Sequence, residues 1–298
     1  MSMNNHSSAG ALLPERPARR LSAVSRALRA LCECAEEEPP AWHFNAAEER
    51  HEYRISVASD LDSRERAYRL AQQVYRRCGY ASSDAAWCVS PFDAHPETLT
   101  LLVEDGLGRE AATISLVTDS HAGLPCDEVF GRELHALRAQ GRRLAEVTRL
   151  VIAEEHARAR TLLIRLFNFV YIYARHVRHA DDFVIEVNPR HATYYTRWLA
   201  FERAASGRLC PRVQWAPAVL LRMDLARAEG EVQRVGGQGA AAGERTMFPY
   251  CYAGQDEAAV ARFLARHQRP MSQEEQAHFG LAPAAERSVQ LGGMERGV

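Results

Sequence analysis

Two short stretches of this 298-residue chain carry side chains that could move protons at a reacting centre. In the first, Ala145–Ile152, the polar residues Glu146, Thr148 and Arg149 interrupt an apolar run. Read as a strand, the run points Glu146 and Thr148 to one side and Val147 and Arg149 to the other. A carboxylate there can orient or deprotonate an ammonium through a water. It can equally pair with Arg149 for structure alone, because buried charges are usually paired. In the second stretch, Val184–Phe201, a β-branched run ends in Asn188 and Pro189, and His191, Tyr194 and Tyr195 follow. A phenol of ordinary pKa about 10 can hand a proton to a departing group. It can also simply pack an aromatic helix on a sheet. Tyr194 and Tyr195 lie about a quarter turn apart, so either can be the relevant one. His191 reads as a hydrogen-bonding group at the helix start.

These residues need a frame that holds them. Tyr53–Ala58 alternates like a strand. Ser63–Tyr80 has an apolar helical face and a stop at Gly79. Leu99–Glu104 and Glu110–Thr118 make a hairpin around Asp105–Gly108. A helix over Asp127–Gln140 stops at Gly141, and strand Leu144–Ile152 leads to a long helix, Arg158–Arg178. Strand Phe183–Val187 hands over to helix Arg190–Leu199, with Asn188 as its cap and Pro189 in its first turn. Ala218–Leu225 is a last strand. The order β-α-β-β-α-β-α-β-α-β predicts an α/β fold, a mixed central sheet flanked by helices.

Both stretches resemble a known family. The Asn188, Tyr195 and Phe201 pattern resembles the second half of the GNAT acyltransferase fold, and Ala145–Ile152 resembles the "E-x-S-R-F/L" strand of acyl-homoserine lactone synthases and of FeeM-type N-acyl amino acid synthases. The resemblance spans roughly Tyr53 to Leu225. It implies a GNAT-like acyl-CoA N-acyltransferase fold and transfer of a fatty acyl group from an acyl-carrier protein thioester to the α-amine of an amino acid. On that reading Glu146 and Tyr195 are the catalytic pair, Tyr195 lying near the leaving sulfur. Thr148, Arg149, Arg158, Arg160 and Asn188 serve substrate or donor. The fold's splayed sheet would leave backbone N–H groups for an oxyanion. No metal and no permanently bound cofactor are implied, since acyl-phosphopantetheine or acyl-CoA is a substrate.

One departure bears on the donor. GNAT acetyltransferases cradle the coenzyme A pyrophosphate on a glycine-rich loop at a helix start. Here the corresponding Ala153–Arg160 has no glycine. A carrier's single phosphate could be held by Arg158 or Arg160, and an acidic carrier could dock on these with Arg142 and Arg143, unless the arginines are only a solvated face. An acyl slot could be lined by Leu162, Leu163, Leu166, Phe167, Val170 and Tyr171 with Ile114 and Leu116, although such a stripe is more often core. The alternatives are an acyl-homoserine lactone synthase, an acyl-CoA-dependent N-acyltransferase, and a catalytically silent module that binds an acyl ligand or carrier.

Composition excludes other chemistries. The 37 basic residues are all arginine, so a Walker A lysine and Schiff-base or PLP-anchoring lysines are ruled out. They nearly balance 38 acidic residues, which argues against nucleic acid as partner. Seven scattered cysteines fit free thiols in a reducing cytoplasm, and Thr161–Val177 is too short and too interrupted by charge for a membrane span. Residues 1–50 read as a mobile arm, 51–228 as the catalytic core, 229–247 as a Gly-rich linker and 248–298 as a short helical extension. In that extension Asp256–His267 and Ser272–Phe279 are helical, the second opened by a Ser272/Glu275 capping box. It could act as a lid over the acyl slot.

Overall fold

Strands form where aliphatic and β-branched residues run between turn signals, and one pleated sheet collects them all. The computed structural model describes residues 53–81, 84–157 and 160–281, so the N-terminal arm and Arg158 lie outside the described residues. The strands are β1 (Tyr53–Val57), β2 (Leu99–Asp105), β3 (Glu110–Thr118), β4 (Leu144–Ile152), β5 (Asp182–Val187), β6 (Glu202–Arg203), β7 (Arg208–Cys210) and β8 (Ala216–Asp224). Their order is β1-β2-β3-β4-β5-β8-β6, with β7 also on β8. All neighbours are antiparallel except β4 and β5, which run parallel. The Asp105–Arg109 turn closes the β2–β3 hairpin, its Asp105 carboxylate accepting the N–H groups of Leu107 and Arg109.

Helices cover both faces. On one lie α1 (Leu61–Cys78) and α2 (Asp127–Ala139). The α1 helix is capped by Asp60 and ended by Gly79 at φ 71°, where a residue without Cβ bears no strain. Its Leu70, Ala71 and Val74 pack on Val151, and burial of each larger apolar side chain contributes about 1.5–3 kcal/mol. On the other face α3 (Arg160–Ile172) and α4 (Pro189–Trp198) close the main core with Phe167, Tyr195 and Phe201 meeting edge to face. The long helix expected to reach Arg178 changes to a single π turn at Tyr173–Val177.

Past β8 the chain departs from the expected linker. Residues Leu225–Val235 form α5, capped by Asp224, with Leu225, Ala228, Val232 and Val235 buried. Its i, i+3, i+7 spacing is helical, but so many small and polar residues hide the stripe in sequence. A Cβ on Gly236 would lie 2.4 Å from the Val232 carbonyl and 2.9 Å from Ala253 Cβ, so a tight approach, more than a free joint, explains that glycine. The extension then forms α6 (Gln255–His267) beside α3 and α7 (Gln273–His278) on the α1 face. Gln268 bridges the crossing through the Pro96 carbonyl, 2.6 Å away. The Ser272/Glu275 capping box opens α7, while Glu275 also meets the buried Arg64 at 2.6 Å.

Candidate active site

The parallel ladder between β4 and β5 is short. Leu144, Ala145 and Glu146 pair with Asp182, Phe183 and Val184, and beyond Glu146 the register ends. The two strands part there, so Val147–Leu150 and Ile185–Asn188 flank a cleft of about 480 Å³ instead of each other. Backbone groups on the parted edges have no strand partner, and polar groups without one must be met by something else.

An irregularity on the other side of β4 shapes the same place. Ser115 pairs with Thr148, but Thr113 pairs with Val151, so Arg149 and Leu150 together oppose Ile114. This bulge puts Arg149 at φ 50°, a conformation that costs a non-glycine residue roughly 1–2 kcal/mol. It also corrects the strict alternation expected for β4. Arg149 turns to the same face as Thr148, where its Nε donates to Ser115 Oγ at 3.3 Å. Its guanidinium then forks onto Asp93, with Nη1 2.9 Å from Oδ2 and Nη2 on Oδ1. Asp93 in turn accepts the Ser90 N–H at 2.8 Å, and the Tyr68 ring lies 5.5 Å from the Arg149 guanidinium carbon. The fork is fully inside, 7% and 0% exposed. Arg149 therefore anchors the 90–93 turn, which lines the cleft, and does not pair with Glu146.

Glu146 stands where the strands part, 2% exposed. Its Oε2 accepts the Cys126 N–H at 2.8 Å, at the start of α2. Among the described residues no cation comes within ion-pair distance of it. Burial pushes its carboxyl up to about 7, against the opposing pull of the Cys126 thiol and N–H. Glu186, two residues past Val184 on the same face of β5, lines the cleft too and is held by Arg212 at 2.7 Å. The nearby Cys126 thiol is driven well above its usual range, first by burial and then by Glu146.

Tyr195 reaches the cleft from α4, with its phenol raised by burial. Tyr194 does not line the cleft. Thr148 and Asn188 line it as well, and Asn188 caps α4 by accepting the Arg190 N–H at 3.2 Å. His191 is there too, driven down to about 4 by burial and then by Arg190. The cleft thus gathers Glu146, Thr148, Arg149, Asn188 and Tyr195, and it leaves Arg160 aside. Arg160 instead faces the Trp198 ring at 5.7 Å. Arg142 is also committed elsewhere, to Asp182 at 2.6 Å and Asp224 at 2.7 Å, at the opposite end of β5.

The expected acyl slot is corrected. Ile114, Leu116, Leu162, Leu163, Leu166, Phe167, Val170 and Tyr171 are all at most 1% exposed and belong to the filled core. The apolar wall of the cleft is supplied by Tyr75, Trp87, Val89, Phe92 and Val213. Sequence reasoning also missed Asp93, Glu186 and Arg212. Only the alternation Val184, Glu186 along β5 hinted at the second, since the partners sit far away in the chain.

Among the described residues no group of three or more His, Cys, Asp or Glu could hold a metal ion, and no helix is long and apolar enough to cross a membrane. A mixed sheet that splays between its parallel strands, with helices on both faces, is the fold of a GNAT-like N-acyltransferase. Comparison with known proteins narrows that class. The family model described as N-acyl amino acid synthase FeeM matches residues 66–224. The structure of FeeM itself, an N-acyl amino acid synthase from uncultured soil microbes, is 26% identical with a TM-score of 0.54, covering 60% of this chain and 94% of FeeM. The acyl-homoserine lactone synthase LasI is 16% identical with a TM-score of 0.46, covering 59% and 90%. An N-acetyltransferase from Staphylococcus aureus Mu50 is 11% identical with a TM-score of 0.41, covering 59% and 99%. No curated protein matches the chain. The chain belongs to the FeeM family of N-acyl amino acid synthases.

Proposed function

We propose that this N-acyltransferase moves a fatty acyl group from the phosphopantetheine thioester of an acyl-carrier protein to the α-amine of an amino acid. The observation that carries the reading is Glu146. It is a buried carboxyl with no cation partner among the described residues, raised to about 7, at the point where the sheet opens. A base with that pKa is about half ionised at neutral pH, where general-base catalysis works best.

The chemistry then follows from the geometry. Glu146 takes a proton from the acceptor's ammonium through a water, and the free amine adds to the thioester carbonyl carbon. The developing oxyanion meets the unpartnered N–H groups on the parted edge of β4, whose value lies in being fixed before the reaction. The tetrahedral adduct collapses, the C–S bond breaks, and Tyr195 gives its proton to the thiolate. Burial keeps that phenol protonated at neutral pH. The tyrosinate takes the second proton off the amine nitrogen, which leaves the neutral amide, and Glu146 returns its proton to solvent through the open cleft. Arg149 acts on none of these atoms. Together with Asp93 it holds the turn that bounds the cleft. Thr148 and Asn188, which line the cleft, hydrogen-bond the amides of the donor's arm on this reading.

A carrier fits better than free coenzyme A as donor. The turn after β4 is a 3-10 turn, Glu154–His156, whose Glu154 and Glu155 are exposed and acidic, which disfavours a pyrophosphate there. Its His156 is pinned to Tyr53 at 2.9 Å. The test is mass spectrometry of lipid extracts from a host expressing the chain, its Glu146→Gln variant or its Tyr195→Phe variant. N-acyl amino acids that appear with the wild type and fall sharply with either variant are expected. Acyl-homoserine lactones in their place would refute the acceptor, and products equally abundant in Glu146→Gln would refute the base.

A further inference from the structure

Among the described residues two arginines line the cleft and a third, Arg190, adjoins it beside Tyr80 and His191. The first two are neutralised, Arg149 by Asp93 and Arg212 by Glu186 and Glu128. Arg190 is different. It is exposed, and among the described residues no carboxylate lies within ion-pair distance of it. Its guanidinium is nevertheless held, by neutral groups only. Nη2 donates to the Tyr80 hydroxyl, Nε donates to His191 Nε2 at 3.2 Å, and the guanidinium carbon sits 5.9 Å from the Tyr80 ring centre. Tyr80 and His191 both line the cleft. A positive charge fixed at a cleft mouth by uncharged partners keeps its field for an incoming anion.

Distance selects which anion. Glu146 is opposite Val184, and Asn188, the cap of α4 just past the end of β5, lies four residues on, about 13 Å at some 3.3 Å per residue, with Arg190 in the first turn beyond it. In an amino acid the carboxylate is two bonds from the amine, so a carboxylate on Arg190 would hold its amine out of Glu146's reach. A phosphopantetheine arm has roughly thirteen bonds between phosphorus and sulfur, about 15 Å at the spacing of an extended chain. We propose that Arg190, held by Tyr80 and His191, seats the phosphate of the donor's phosphopantetheine arm. The arm then runs along the parted edge of β5 with its thioester beside Glu146. This rests on the acyl-thioester reading above, and moves the phosphate from the turn after β4, where Arg160 faces Trp198, to the start of α4.

The test is calorimetric binding of non-reacting thioethers, S-octyl pantetheine and S-octyl 4′-phosphopantetheine, to the full chain. The wild type should prefer the phosphorylated compound roughly five- to tenfold, the range for a charged hydrogen bond weakened by solvent. Arg190→Ala should erase that preference while binding S-octyl pantetheine as the wild type does, and Arg190→Lys should keep part of it. S-octyl coenzyme A and S-octyl carrier protein separate the two sources of the phosphate, and the Arg190→Ala loss should be larger with the carrier. A preference that survives Arg190→Ala, or an equal loss for both small thioethers, overturns the seat. Failure of the wild type to bind either thioether would instead sink the acyl-thioester reading, and the seat with it.

Discussion

Glu146→Gln should do two opposite things: abolish turnover and stabilise the protein above neutral pH. In the unfolded chain the carboxyl titrates near 4.5, and in the fold burial raises it to about 7. An acid whose pKa is raised by folding binds its proton more tightly in the native state. Its contribution to stability is therefore complete below about pH 4.5 and is lost as pH climbs through about 7. The gap, 7 less 4.5, is about 2.5 pH units, or about 3 kcal/mol at 1.36 kcal/mol per unit. Glutamine is isosteric, always neutral, and can still accept the Cys126 N–H with its carbonyl oxygen. The variant should thus match the wild type at pH 5 within about 1 kcal/mol and exceed it by about 3 kcal/mol at pH 8.5. Urea denaturation at the two pH values reads this directly, with the midpoint moving and the slope unchanged. Wild-type activity should rise through pH 7 as the base ionises, with no such rise left in the variant. A stability gain equal at both pH values, or a loss at both, would show that Glu146 is not a strained buried carboxyl, and the reasoning behind its role as base would fail.

Asp93→Ala strands the buried Arg149 guanidinium and should cost about 3–5 kcal/mol, with much of it recovered in the Asp93→Ala, Arg149→Met double variant; thermal melts of the four proteins give the coupling. Gly236→Ala drives a methyl into the Val232 carbonyl and Ala253 and should cost about 1–3 kcal/mol, read by denaturation midpoint, with catalysis unchanged at low temperature. Glu257 raises the His176 pKa through a 3.0 Å contact. Since a raised histidine stabilises most below its unfolded pKa and loses that benefit as pH rises through the folded one, Glu257→Gln should weaken the protein at pH 5.5 and barely at pH 9.

Glu146 and Asp93 illustrate how differently the residues of one site could be read in advance. Local signals placed the elements well. Gly79 and Gly141, both with positive φ, ended their helices, Asn188 capped α4, and the Asp105–Arg109 turn set the hairpin, because each depends on a few neighbouring residues and on backbone sterics alone. The same local logic gave β4 its length and put Glu146 on a strand. It failed at α5, whose apolar stripe is thin, and at β6 and β7, which are too short to show a period.

By itself, then, the sequence determined the order of strands and helices, the absence of lysine chemistry, and a shortlist containing Glu146, Tyr195 and Asn188. Tertiary structure decided what those residues are. A carboxylate's pKa depends on how much water reaches it, and Glu146 is buried by the fold, with the start of α2 against its carboxyl. Which way Arg149 points hangs on a one-residue bulge against β3, and its partner Asp93 is 56 residues away. The apolar stripe of α3, which by pattern alone is more often core than channel, proves to be core because the opposing sheet fills it. The cleft opens instead where β4 and β5 stop pairing, since a ladder's end is a relation between strands that neither strand's residues encode alone.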